Sequence, residues 1–433
     1  MGSGSTLEHH DVSHVGLRRS NNQDARGVVE PWNREQYRRR GWLFVVADGM
    51  GAHAAGEMAS ALAVQEVTGA YEKLVALRSP PLALRASFED ANKKINARGE
   101  TSPDLRGMGT TCTALALLPR GALVGHVGDS RVYRVRRGTI EQLSRDHSLA
   151  WEYEAKAGHD AVLPAGVPKN IIMRSMGPHP QVEVDLEGPF PVEPGDAYVL
   201  CSDGLSGQVA DEEIGAVAAA SRGGNAAAAL VGLALVRGAP DNVTVIVART
   251  GEKERSRAAP NDPPWLLEPP DRDPVRRPPL PWRMLAVAAA SLLGALICNP
   301  SSDIMRATLG ADWTDVIGWP CVGLFVLAFI GSLLAAVIGF LTPSGGGFPL
   351  PTGHMLGKGP YRSYDCRPTR HLVEGIAASV EAAADGLEGP ARQDCIAPLP
   401  RARSAAATED FAAAFVALAE GLAAFRRTVD AGR

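Results

Sequence analysis

An α+β layered fold is predicted for roughly the first 250 of the chain's 433 residues. Two observations predict it. Short apolar or alternating runs come in consecutive groups, as at 111–118, 122–127 and 131–135, with Gly and Pro between them. Long helical patterns lie between those groups instead of following each strand, which disfavours a doubly wound sheet.

In chain order, the apolar run 43–47 reads as a buried strand that ends on Asp48. A loop with Gly49, Gly51 and Gly56 follows. Ala, Leu and Val at helical spacing predict helices over 56–77 and 82–97. After the three grouped strands, 150–180 interrupts the pattern and reads as an inserted flap. A strand at 197–201, helices at 211–220 and 225–237 and a strand at 243–248 complete a domain over 7–250. Residues 251–283 carry nine prolines between Pro260 and Pro281, a composition that makes an extended linker and no core.

Two uncharged apolar runs follow, 15 residues at 284–298 and 22 residues at 320–341. The second is long enough for about 30 Å of hydrocarbon, and together they predict a transmembrane hairpin over 284–341. Arg276, Arg277 and Arg283 precede it, and Lys358, Arg362, Arg367 and Arg370 follow it. The connecting segment holds Asp303, Asp312 and Asp315 with Arg306 as its one basic residue. The positive-inside rule therefore puts both flanks in the cytoplasm, with localisation at the inner (cytoplasmic) membrane. A Gly/Pro linker over 342–370 leads to an α-helical tail over 371–433. One stripe there is Leu372, Ile376, Val380, Ala383 and Leu387. The other is Phe411, Phe415, Leu418, Leu422 and Phe425, with Thr408 as its expected N-cap. Self-association through the hairpin or the tail is an expectation of this layout.

A net charge of -4 with 21% charged residues excludes bulk nucleic-acid binding. The 6 cysteines form no CxxC pair, so neither a zinc cluster nor a disulfide framework is implied.

Chemistry concentrates in aspartates at strand ends and adjoining loops. Asp48 and Asp203 each end an apolar run and precede Gly. Asp129 sits in a Gly-Asp turn between two strands, Asp241 immediately precedes a strand, and Arg19 and Asp24 lie in the polar loop RRSNNQDA. Any one of these is an ordinary turn. Five together can converge at one sheet edge, and an oxygen-only donor set suits Mg²⁺ or Mn²⁺ better than zinc. No Cys-x5-Arg motif is present, nor a GxxxxGK[ST] loop, so a cysteine-nucleophile phosphatase and an NTP-binding loop are both disfavoured.

The segments RSNNQD (19–24), ADGMGAHAAGE (47–57), GMGTT (107–111), VGDSR (127–131), RDHSL (145–149), CSDGL (201–205) and DNVT (241–244) occur in one order. In that order the chain resembles the bacterial metal-dependent Ser/Thr protein phosphatases of type 2C over about residues 10–250. The resemblance implies a β-sandwich flanked by α-helices and two Mn²⁺ or Mg²⁺ ions at one edge. Asp48 would bridge both ions. The Gly49 carbonyl and Asp24 would join one, Asp203 and Asp241 the other, and Asp129 with Asp203 a third, weaker ion. Arg19 would clamp the substrate phosphate. It further implies hydrolysis of phosphoserine and phosphothreonine in proteins, opposing a cognate Ser/Thr kinase. Met50 stands where animal members carry a histidine that protonates the leaving group; His53 and a metal-held water are the alternatives. The competing reading is a phosphoprotein-binding membrane scaffold with an inactive domain. Loss of metal aspartates would favour it, and all five are present.

Overall fold

The computed structural model describes residues 7–51, 54–157, 171–220, 225–251, 265–267, 282–304, 307, 311–341, 348–349, 355–357, 359 and 361–432. Most of the expected proline-rich linker (252–264 and 268–281), the centre of the flap (158–170) and much of the 342–370 linker lie outside them. Residues 1–265 with 350–433 form one compact unit, and 266–349 form a second.

The strands of the first unit are β1 (Leu7–His14), β2 (Asp24–Val29), β3 (Trp42–Met50), β4 (Gly109–Thr110), β5 (Cys112–Leu118), β6 (Gly121–Val127), β7 (Arg131–Arg136), β8 (Thr139–Gln142), β9 (Asp185–Phe190), β10 (Ala197–Cys201) and β11 (Val243–Thr250). Two-residue strands β12 (Leu266–Leu267) and β13 (Phe348–Pro349) pair in the second unit, and β14 (Ser363–Asp365) returns to the first. One antiparallel sheet runs β1-β11-β10-β7-β8-β14. The other runs β2-β3-β5-β6-β9, with β4 on β3.

Alternation along β3 shows how the layers form. Phe44 and Val46 turn inward and meet Val132, Tyr198, Leu200, Ile246 and Ala248 between the sheets. Leu43, Val45 and Ala47 turn outward, into a cluster with Ala59, Ala63, Leu84 and Phe88 of helices Ala54–Leu74 and Pro80–Gly99. Both faces are covered, so β3 reads as an unbroken apolar run. The result is an α+β fold of two packed sheets flanked by helices, as the pattern predicts. β1, β2, β8 and β9 escape that pattern because they alternate with polar residues or are short. Asp24, expected in a loop, begins β2 and faces Asp48 in the ladder.

The tail departs from the expected separate segment. Helices Arg370–Ala384, Gly389–Ile396, Leu399–Ala407 and Phe411–Ala431 follow β14. Ile376, Val380, Leu418, Leu422 and Phe425 share one buried cluster with Leu230, Val231 and Leu233 of helix Asn225–Val236, on the outer face of the β1–β14 sheet. That helix is apolar all round, so it needs cover on the side away from the sheet. Thr408 does not cap the last helix. It closes the preceding one through its backbone N–H, and the Asp410 carboxylate accepts from Ala413 N at 3.1 Å instead.

In the second unit, helices Trp282–Ile297 and Ala311–Leu341 pack together, with Gly294 against the Phe325 ring. Residues 317–334 are long and apolar enough to cross a membrane, and Leu324 and Leu327 there are 69% and 70% exposed.

Truncating Leu422 tests the tail's packing. Leu422→Ala is expected to cost about 2–5 kcal/mol. Val416→Ala, on the exposed side of the same helix, should stay within about 0.5 kcal/mol. Chemical unfolding of the two variants, followed by Trp fluorescence, checks the difference.

Candidate metal centre

The site is where the inward-facing core series meets the end of the sandwich. Along β3 the inward positions are Phe44, Val46 and then Asp48; after β10, Tyr198 and Leu200 lead to Ser202. Alternation therefore places carboxylate and hydroxyl groups where the core would otherwise continue. Asp24 lies directly across the ladder from Asp48. The Ser202 hydroxyl donates to Asp24 Oδ2 at 2.8 Å, linking the two sheets.

Backbone and threonine contacts fix Asp48. Thr111 N and Thr110 Oγ1 both donate to the Asp48 carbonyl at 2.8 Å, and Asp48 N donates to Thr111 Oγ1 at 2.8 Å. A Cβ at Gly49 would lie 2.1 Å from the Gly56 carbonyl oxygen, so only glycine lets the two chain segments approach.

Asn242 organises the other side. Its amide donates to the carbonyls of Val15 and Asn21 at 2.9 and 3.0 Å, and its Oδ1 accepts from Gln23 N at 2.8 Å. It thereby pins the loop that leads into Asp24. Next to it, Asp241 accepts from Arg19 Nη2 at 2.7 Å. Asp129 occupies the turn between β6 and β7, and Asp203 opens the short helix Asp203–Ser206.

The electrostatics are those of an acidic cluster short of cations. Burial first, then Asp24, Asp203, Asp129 and Asp241, hold the Asp48 carboxyl well above the ordinary range. Burial likewise raises Asp24 to about 7, with Asp203 and Asp241 adding to it. Burial, then Asp203 and Asp146, raise Asp129 to about 7. Asp203 is raised by burial and by Asp241, with the neighbouring Asp48, Arg19 and Arg131 opposing the rise. Arg19 is raised, chiefly by its bond to Asp241, and it also feels Asp48 and Asp203.

The donor set fits hard divalent ions. Oδ1 of Asp24, Asp129 and Asp203 are buried oxygens with no hydrogen-bond partner, a costly state that a cation relieves. Among the described residues, no three Asp, Glu, His or Cys side chains form a ready group for one ion. Asp24 stands directly across the ladder from Asp48, and Asp203, Asp129 and Asp241 are near enough to act on the same Asp48 carboxyl.

All the singled-out positions, Arg19, Asp24, Asp48, Gly49, Asp129, Asp203 and Asp241, come to this one edge of the sandwich. His53 lies outside the described residues. Asn242, Ser202, Thr110, Thr111 and Asp146 escaped sequence reasoning as individuals. The signal was present, since each sits beside or inside a quoted motif. Asp146 is buried and holds Arg131 at 2.7 Å. A cavity of about 290 Å³ adjoins the cluster, lined by Asp129, Asp203, Arg131 and Asp146 among others.

A family model described as Protein phosphatase 2C matches residues 17–226. "Serine/threonine phosphatase stp" of Listeria welshimeri is 32% identical over 249 residues, 56% of this chain and 96% of that protein. "Serine/threonine protein phosphatase PstP" of Mycobacterium tuberculosis is 36% identical over 231 residues, 52% of this chain and 43% of that protein. A crystal structure of the Mycobacterium tuberculosis phosphatase PstP/Ppp is 34% identical, with a TM-score of 0.48, covering 57% of this chain and 99% of that one. Another, of the PstP catalytic domain, is described with 2 manganese ions; it has 34% identity and a TM-score of 0.47 and covers 57% of this chain and 98% of that one.

The raised carboxyls have a pH signature in the metal-free chain. Asp24 and Asp129 titrate at about 7 when folded, against about 4 in an unfolded chain. The folded form thus holds protons that the unfolded form releases. The stability they give is present below about pH 4 and lost as the pH rises through about 7. Divalent ions displace those protons. Mn²⁺ should therefore raise the melting temperature more at pH 8 than at pH 5, relative to chelator. An equal rise at both pH values would contradict the assignment.

Proposed function

The chain belongs to the protein phosphatase 2C family and is a protein-serine/threonine phosphatase, and we propose that it acts on cytoplasmic phosphoproteins while tethered to a membrane, opposing a Ser/Thr kinase. The observation that carries the catalytic part is the convergence of five aspartates, three with unpartnered buried oxygens, at one sandwich edge beside Arg19. Asp24, Asp48, Asp129, Asp203 and Asp241, with the Gly49 carbonyl, would hold two Mn²⁺ or Mg²⁺ ions and a third at Asp129. When bound, these ions supply an activated water and neutralise charge on the phosphoryl group. Arg19 offers its guanidinium fork to the non-reacting phosphate oxygens, steadied by Asp241. Asn242 and the Thr110–Thr111 pair keep the carboxylates in register, so the site is assembled before substrate arrives.

Membrane tethering is supported by the apolar, exposed stretch within Ala311–Leu341 and by the shorter apolar helix packed on it. The charge asymmetry of the flanks supports a cytoplasmic catalytic unit. The kinase is implied by the chemistry, because a Ser/Thr phosphatase consumes the product of one.

The full chain in detergent should hydrolyse a phosphothreonine peptide with Mn²⁺ or Mg²⁺ and not with chelator. Asp48→Asn should lower kcat by at least about 100-fold, more than the loss of a typical outer-sphere partner of a metal. Turnover indifferent to metal and to Asp48 would overturn the reading. Separately, the protein should stay in the membrane pellet through an alkaline carbonate wash and leave it with detergent. Recovery in the wash supernatant would refute the tether.

A further inference from the structure

The segment that follows the apolar helices reaches the edge of the catalytic cavity. β14 adds to the outer edge of β8, with Ser363 opposite Glu141 and Asp365 opposite Thr139. Gln142 N donates to the Arg362 carbonyl and Cys366 N to the Gly138 carbonyl, both at 2.8 Å. Side chains lock the strand at both ends. The Tyr361 ring meets Phe190 edge-on at 5.2 Å, and its hydroxyl bonds Glu187. Cys366 is fully buried against Gly215, where an added Cβ would come within 2.7 Å of its sulfur.

Arg362 is thereby held at a fixed backbone position, and its side chain crosses to helix Leu149–Ala157. Its guanidinium carbon stands 3.6 Å from the centroid of the Trp151 ring, and it pairs with Glu154. That helix opens the flap region. It is also tied to the metal edge, because His147, two residues before it, donates its backbone N–H to Gly128 O at 2.7 Å, next to Asp129. Asp129, Asp203, Trp151, Glu154 and Arg362 all line the 290 Å³ cavity. Such a space exceeds what a few waters require. Its wall offers an aromatic face and a paired cation, and its floor is the acidic cluster.

We propose that Arg362 is a positioning residue for protein substrates: it fixes the Trp151–Glu154 wall against which the polypeptide beside the phosphorylated residue lies. The inference deepens the phosphatase reading and rests on it. A small aryl phosphate needs only the acidic edge for its phosphoryl group, whereas a phosphopeptide extends beyond it, toward Trp151 and Glu154 on the same cavity. A stacked, ion-paired arginine is not matched by lysine, which keeps the charge but lacks the planar face.

The test compares the full chain with Arg362→Ala and Arg362→Lys, in detergent with Mn²⁺, on a phosphothreonine peptide and on p-nitrophenyl phosphate. Arg362→Ala should raise the peptide KM about ten-fold, with peptide kcat and aryl phosphate kcat/KM changing less than about two-fold. Arg362→Lys should fall between. A peptide KM that does not move overturns the proposal. So does a parallel fall on both substrates, which would make Arg362 a support of the fold alone. Failure of the unaltered chain on both substrates would instead sink the phosphatase reading, and this inference with it.

Discussion

Repulsion among buried carboxylates is the constraint on which the active edge depends. A sandwich normally ends its inward series in solvent or in a polar turn. Here the series ends on Asp48 and Ser202, with Asp24 across the ladder from Asp48. Like charges directly opposite one another destabilise a sheet. The fold tolerates them because so much else is fixed: the Thr110–Thr111 clamp, the Gly49–Gly56 approach and the Asn242 tether. Geometry that keeps anions close without a protein cation between them is geometry prepared for metal ions.

Arg19 is the exception that shows the rule. It is the one guanidinium bonded to an aspartate of the cluster among the described residues, and it sits at the rim on Asp241. A cation deeper inside would compete with metal for the same oxygens. At the rim, half exposed, it leaves the buried oxygens of Asp24, Asp129 and Asp203 without a protein cation. The cluster's other neighbouring arginine, Arg131, is bound to Asp146 at 2.7 Å and shields Asp129 only in part.

Much of the site was legible in the sequence because its residues follow strands whose pattern is strong. The runs 43–47 and 197–201 are buried on both faces, so their ends, Asp48 and Asp203, could be located directly. Asp24 was harder, since β2 (DARGVV) is only half buried and alternates weakly. Asn242 was invisible as an organiser because its role is three bonds to loops far away in sequence. The tail was legible as helices but not as part of the catalytic unit. Its stripes specify an apolar face, and nothing in a stripe says which surface covers it. The three-residue strand β14 is too short for any periodicity to reveal.

That strand has a consequence for how the protein is made. The β8 edge and the outer face of helix Asn225–Val236 are finished by residues that follow the apolar helices. A ribosome working at about 5–20 residues per second takes on the order of ten to thirty seconds to pass from Trp265 to Phe425. Until Asp365 has been made the β8 edge lacks its neighbour, and until Phe425 the outer face of helix Asn225–Val236 lacks its full cover. Vectorial synthesis therefore makes the apolar helices a checkpoint: the enzyme can close its own fold only after they have been translated.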